Sequence, residues 1–145
     1  LPIFRGESLL DGLIIASLSG LSVKLGVPGK SEVMWGKAAA RSYDDDLLKA
    51  GVEIFQYRKG FVHAKTLVAD RKIAVVGTAN MDFRSFDLNF EVNAIVYDTL
   101  TANELADVFY DDLKDAEKID EIKWAQRPRL KKLWQKTARL VSPLL

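Results

Sequence analysis

His63 is the only histidine among 145 residues, and it stands two positions before Lys65 inside the run Phe61 to Ala69. That run is apolar and β-branched, which reads as a buried strand. A period of two sends both side chains out of one strand face. An imidazole beside a fixed ammonium makes poor hydrophobic core, because taking a lysine out of water is costly unless a counter-charge goes with it. The pair makes a good receptor for a dianionic or developing anionic group such as phosphate. The spacing continues as Lys65-x4-Asp70, then six residues, then Gly77-Thr78-x-Asn80. A glycine there lets the backbone approach a ligand closely, and the Thr78 hydroxyl and Asn80 amide can donate to phosphate oxygens without adding charge.

A second strand, Leu88 to Asp98, puts Asn89, Glu91 and Asn93 on one face and Phe90, Val92, Ala94 and Val96 on the other. A carboxylate and two amides on a core strand need partners. The simplest partner for Glu91 is His63, which would set the imidazole tautomer, leave the other ring nitrogen free to attack phosphorus and raise the basicity of the ring. Asp70 has the opposite parity to His63 and Lys65 and is expected to face away from a substrate.

The pattern His63-x-Lys65-x4-Asp70-x6-Gly77-Thr78-x-Asn80 resembles the signature of the phospholipase D superfamily. Threonine stands where that family usually carries serine, and it keeps the donor. The run Arg84-Ser85-x3-Asn89-x-Glu91 resembles the narrower signature of the bacterial cardiolipin synthase branch. The ending Arg139 to Leu145 is also similar to the carboxyl terminus of that branch. The resemblance implies His63, Lys65 and Asp70 as the catalytic motif, with Asp70 in a supporting hydrogen-bond or charge role. It implies Thr78 and Asn80 as phosphate-binding residues, and Glu91 as the residue that orients the histidine.

The elements that must carry these residues read as an α/β sandwich, a phospholipase D-like mixed sheet flanked by helices. Leu1 to Phe4 reads as the end of a strand. A helix follows with Ser8 as N-cap and Asp11 at the capping-box position, its stripe Leu9, Leu10, Leu13, Ile14 and Leu18 ending near Gly20. Ser22 to Val27 is a strand stopped by Pro28-Gly29. Trp35 to Ala50 is a helix stopped by Gly51, with Asp44-Asp45-Asp46 as a solvated face, since adjacent acids on a helix cannot converge on one ion. Val52 to Tyr57 is the next strand, and Arg58-Lys59-Gly60 is a solvated turn or a headgroup contact. Arg71-Lys72 connects the motif strand to Ile73 to Val76 as a hairpin. Leu100 to Ile119 is an amphipathic helix with an acidic outer face.

Composition bounds the function. With 48% apolar and 28% charged residues, the chain suits one domain with a real core. It has no cysteine and one histidine, so a disulfide framework, a thiolate metal site or a His-rich metal centre is not expected. No metal and no cofactor are called for, because cationic side chains would do the work of a metal at the phosphate. No run of about 18 apolar residues predicts a membrane span. The net charge of +1, without an extended basic patch, argues against a nucleic-acid partner. The charge is uneven: eight acids against Lys114 and Lys118 between Asp98 and Asp120, then seven basic residues against Glu121 alone. Residues 1–120 are therefore expected to be the catalytic domain and 121–145 a basic amphipathic tail. Leu130, Leu133, Trp134, Thr137 and Val141 fall at helical spacing there, which suits an anionic membrane surface or packing on the body of the protein.

The resemblance implies a C-terminal half of a tandem protein, a piece of a longer polypeptide, working at the cytoplasmic face of the bacterial cell membrane. Its partners would be phosphatidylglycerol, the anionic membrane, and the N-terminal half of the same polypeptide or a second copy supplying the other motif. The implied reaction makes cardiolipin and glycerol from two phosphatidylglycerols through a phosphatidyl-histidine. The alternatives are a hydrolytic phospholipase D or phosphodiesterase/nuclease of the same superfamily, and a non-catalytic structural or membrane-docking half.

Overall fold

The computed structural model describes residues 6–29, 43–60, 62–78 and 90–127. Helix α1 (Gly6–Leu18) leads into strand β1 (Lys24–Pro28), and the described part of helix α2 covers residues 43–49. Strands β2 (Glu53–Tyr57), β3 (Thr66–Ala69), β4 (Ile73–Gly77) and β5 (Asn93–Val96) follow. Helix α3 (Thr99–Asp112) runs into a 3-10 turn (Leu113–Asp115), then β6 (Ala116–Lys118) and a short helix α4 (Glu121–Ala125). Among the described residues these strands form two three-stranded sheets: β1-β2-β6, with β1 parallel and β6 antiparallel to β2, and the antiparallel β3-β4-β5. The expected α/β class holds, with the strands divided between two sheets.

Glycine ends both α1 and α2 as anticipated. Gly20 (φ 88°) and Gly51 (φ 90°) take the left-handed conformation, and the last carbonyls are closed by paired bonds such as Gly51 N–H to Leu48 O (2.9 Å) and Val52 N–H to Leu47 O (3.0 Å). The start of α1 differs: it begins at Gly6, so Ser8 lies inside the helix and is not its cap. The core sits on the first sheet, where Leu47, Leu48, Val52 and Ile54 are buried and Leu10, Leu13, Ile14, Val23, Leu25, Val27, Ile119 and Trp124 close over them. The second sheet packs on α3, and the residues buried on the two elements are small, Ala74 on β4 and Ala102 and Ala106 on α3, which lets helix and sheet approach closely. Phe109 of α3 also reaches Gly26 of β1, where an added Cβ would lie 3.2 Å from its ring. The helix therefore ties the two sheets together. Asp98 caps it, accepting from Thr101 N–H at 2.8 Å.

The helix expected over Leu100 to Ile119 is cut short at Asp112, because 116–118 pairs with the open edge of β2. Arg58 N–H donates to Asp115 O (2.9 Å) and Ile119 N–H to Ile54 O (2.8 Å), so that edge gains backbone partners a longer helix would have denied it. Cross-strand charges reinforce the pairing. Arg58 meets Glu117 at 2.5 Å and Lys59 meets Asp115 at 3.0 Å, so the basic turn 58–59 is held by the fold's own acids. Glu53 bridges Lys118 (2.5 Å) and Lys24 (2.8 Å) across all three strands.

The Lys118 hydrogen bond first, and that of Lys24 second, hold the Glu53 carboxyl below the usual carboxylate range. A carboxyl depressed in the folded state stabilises the fold above its unfolded value and loses that contribution as pH falls through the folded one. Glu53→Gln is therefore expected to give a shallower acid limb, read as Tm between about pH 2 and pH 5.

The aspartate triplet is also more than a solvated face. Asp44 is buried, and Asp45 Oδ1 accepts from Trp124 Nε1 and Arg127 Nη2, both at 2.7 Å, while the Arg127 guanidinium stacks 3.4 Å from the Trp124 ring. This cluster pins α4, and with it the start of the basic stretch, onto α2. Among the described residues no helix is long and apolar enough to cross a membrane.

Candidate active site

The motif residues gather at one end of the β3-β4-β5 sheet. Thr66 pairs with Val76, and the next row outward is closed by Gly77 N–H donating to Lys65 O at 3.1 Å, so Lys65 continues the ladder one residue beyond β3. On the other side Gly77 pairs with Asn93. One row further out, Thr78 N–H donates to Val92 O (3.0 Å) and Val92 N–H donates to the Thr78 hydroxyl (3.1 Å). That hydroxyl in turn donates to Glu91 Oε2. The Lys65 ammonium turns back to donate to His63 O at 3.0 Å, which keeps the cation beside the histidine backbone. Lys65, Gly77, Thr78 and Glu91 are thus one connected group, with His63 joined to it through the lysine.

The strand around the motif is shorter than the sequence pattern suggests. It begins at Thr66 rather than Phe61; His63 is exposed and Lys65 half-buried, and among the described residues β3 is the edge of a three-stranded sheet. An apolar, β-branched run satisfies an edge strand as well as a buried one, and only the neighbouring layer distinguishes them. The polar strand likewise begins at Asn93 rather than Leu88. Asn80, and the run Arg84 to Asn89, lie outside the described residues.

Gly77 is demanded by its own sheet. A Cβ there would lie 1.9 Å from Asn93 Oδ1 and 2.5 Å from Val92 O. The close approach anticipated for a ligand is made by strand β5.

Asp70 stands apart from this group. It occupies the hairpin tip with φ 52°, followed by Arg71 at φ 54°, and Lys72 N–H closes the turn on Ala69 O at 3.0 Å. Two successive left-handed residues are the φ signature of a type I′ turn, which suits the twist of a hairpin. Five residues of extended chain, about 17 Å, separate Asp70 from Lys65. The turn is anchored to α3 by a residue that sequence reasoning took for a mere connector: Arg71 Nη1 donates to Asp107 (2.6 Å) and Asn103 (3.1 Å), and its guanidinium lies 5.6 Å from the Tyr110 ring. No spacing signal joins residues so far apart in the chain. Asp70→Asn is expected to keep the turn, since asparagine tolerates the left-handed region, whereas Asp70→Val should lose about 1–2 kcal/mol, read by thermal unfolding.

Chemically, the group offers an ammonium, a hydroxyl locked by a carboxylate, and an exposed imidazole at the end of a rigid sheet. Among the described residues no three or more metal-ligating side chains converge. Thr78→Ser keeps the link between Glu91 and Val92 N–H, while Thr78→Val leaves both without it. Turnover in the full-length protein is expected to be near wild type in the first and about tenfold lower in the second, at little cost in Tm because water can solvate the exposed groups.

Comparison with known proteins bears on the family and the fold. The model of the family described as cardiolipin synthase, phospholipase D-like domain, matches residues 1–113. The chain is 45% identical over 139 residues to a cardiolipin synthase of Geobacillus thermodenitrificans, covering 96% of this chain and 28% of that protein. It is 47% identical over 138 residues to the major cardiolipin synthase of Bacillus subtilis, covering 95% and 29% respectively. The chain thus spans less than a third of the length of these curated relatives. Among solved structures, Nuc from Salmonella typhimurium, a phospholipase D family member, superposes with a TM-score of 0.67 at 16% identity, covering 80% of this chain and 76% of that one. That likeness shows the fold.

Proposed function

Because this chain belongs to the cardiolipin synthase family of phospholipase D-like domains, we propose that it is the C-terminal catalytic half of a phosphatidyltransferase making cardiolipin and glycerol from two molecules of phosphatidylglycerol. The observation that carries the reading is the connected group of Lys65, Thr78 and Glu91 at one sheet end, with His63 tied to Lys65. In this scheme one histidine attacks phosphorus, forming a P–N bond as the P–O bond to glycerol breaks, and a second histidine gives its proton to the departing oxygen. The hydroxyl of a second phosphatidylglycerol then returns that proton and displaces the first histidine from phosphorus. His63 is one of the two; the other comes from the N-terminal half of the same polypeptide or from a second copy of the chain. Lys65 with Asn80 neutralises and holds the non-bridging oxygens where charge builds, while the Thr78 hydroxyl, whose one proton goes to Glu91, fixes that carboxylate in place instead of binding phosphate. Glu91 orients His63, and Asp70 supports the motif from the hairpin tip. The work needs no metal.

The bilayer is a partner as well as a source of substrate. The basic side chains of residues 121–145 other than Arg127, which Asp45 holds, dock the protein on the anionic cytoplasmic face, each contributing about 1 kcal/mol when near the surface.

Phosphatidylglycerol vesicles incubated with the full-length protein and analysed by lipid mass spectrometry test the reading. Cardiolipin with free glycerol is the expected product. Phosphatidic acid would make water the acceptor and the protein a hydrolase, and an absence of both products would leave only a docking role.

A further inference from the structure

Helix α3 covers only part of one face of the β3-β4-β5 sheet. On that face Val68, Ala74 and Val96 form one row, with Ala74 buried. The next row toward the catalytic end, Thr66, Val76 and Ala94, is exposed, Val76 at 41%. A period of two carries the same face outward from Ala94 to Val92 and Phe90. Val92 is 75% exposed and Phe90 fully exposed, while Glu91 between them is half-buried and bonded to Thr78. The backbone here is held: Val92 N–H and O are both bonded to Thr78, at 3.1 and 3.0 Å. Val76, Ala94, Val92 and Phe90 therefore make an apolar patch at the same end of the sheet as the catalytic group. Phe90 stands three residues outside the row that joins Lys65, Gly77 and Asn93.

We infer that this patch is a bilayer contact, with Phe90 and Val92 entering the lipid interface beside the catalytic group. The inference rests on the phosphatidyl-transfer reading, which puts the reacting phosphate at a bilayer surface. That phosphate lies where headgroups meet acyl chains, so the end of the sheet that handles it must come down on that plane. Lys65 belongs to the opposite face from Val76 and Ala94, so the sheet end is polar on one side and apolar on the other. Such a division suits a surface lying in the headgroup boundary, where apolar and aromatic side chains are buried and charged ones stay wet. A phenylalanine kept wholly in water adds nothing to the fold, and contiguous exposed apolar residues mark a surface that a partner covers. Attraction by the basic side chains of residues 121–145 brings the protein to an anionic membrane, whereas the patch brings the reacting end into it.

The full-length protein is sedimented with mixed phosphatidylglycerol and phosphatidylcholine vesicles, then assayed on those vesicles and on monomeric dibutyryl-phosphatidylglycerol. Phe90→Ser is expected to weaken vesicle binding about tenfold and to raise KM on vesicles by a similar factor, with kcat unchanged. Turnover of the soluble substrate should stay within about twofold of wild type, and Tm within about 2 °C. Phe90→Trp, which keeps an interfacial aromatic, is expected to bind vesicles as wild type does. Wild-type vesicle binding in Phe90→Ser overturns the inference, as does a wild-type protein that binds no vesicles. A Phe90→Ser variant that unfolds, or whose Tm drops by about 5 °C or more with loss of turnover on the soluble substrate, also overturns it, because Phe90 is then covered by another part of the protein. Sedimentation reads binding without turnover, so these outcomes are distinct from a failure of the transfer reading, in which the protein binds vesicles through Phe90 yet forms no cardiolipin.

Discussion

His63→Ala in the full-length protein is expected to lower the rate of phosphatidyl transfer by at least about 10⁴-fold, whichever of the two histidine roles it fills. As nucleophile, its loss removes the covalent intermediate. As acid and base, its loss leaves a glycerol alkoxide to depart without a proton, a group far too basic to leave readily near pH 7. KM should change little, because the phosphate is held mainly by Lys65 and Asn80, so the effect belongs in kcat. The exposed position of His63 means that alanine leaves no cavity, and Tm should stay within about 2 °C of wild type. Quenched-flow trapping of the phosphatidyl-enzyme from a p-nitrophenyl phosphodiester, whose leaving group needs no proton, separates the roles. A variant that still accumulates phosphatidyl-histidine from it has lost the acid and base, whereas one that accumulates none has lost the nucleophile. Cardiolipin formation at the wild-type rate by the variant would remove His63 from the chemistry.

Ile54→Ala is expected to have the largest effect on stability. Ile54 is wholly inaccessible near the start of β2, the central strand of its sheet, and forms the buried cluster with Leu47, Leu48 and Val52. Its backbone also accepts from Ile119 N–H at 2.8 Å, so β1, β6 and α2 all converge on it. Truncation at such a site loses the transfer free energy of three carbons and leaves a cavity that a paired strand cannot collapse, about 4 kcal/mol together. Against a typical total of about 5–15 kcal/mol that is a large share, and Tm should fall by about 10 °C. Ile54→Val, which keeps the branch and most of the volume, should cost about 1 kcal/mol. Equal losses in the two variants would mean that the site relaxes freely and that the core is less tightly packed than its burial implies. The sheet bearing Ile54 is not the one bearing the motif, so transfer activity below the transition should survive the alanine variant.

The two experiments divide the molecule as the chemistry does. The first sheet with α1, α2 and α4 supplies the apolar burial, while the second, backed by α3, carries exposed polar groups at its end. The second sheet has less core of its own, and Phe109 against Gly26 and the Arg71 contacts to α3 hold it in place.

Much of this was legible before any fold was known, and the reason is range. Helix stops at Gly20 and Gly51, the hairpin between β3 and β4, and the motif from His63 to Asn80 all depend on residues within a few positions of one another, where backbone sterics and side-chain period act directly. The family signature is local for the same reason: its residues share strands or the turns between them. What the tertiary structure alone decided is long-range partnership. Residues 116–118 have no strand-like pattern and became one because β2 had an edge to fill. Asp45 looked solvated and was claimed by Trp124 and Arg127, about 80 positions later. Arg71 looked like a connector and became the clamp of the hairpin on α3. Asn93 read as one polar residue among three on a strand, and only the pairing of β5 with β4 set its amide over Gly77. Local spacing encodes which groups can do the chemistry, whereas packing, being a competition among all unfilled edges and faces, determines which of them meet.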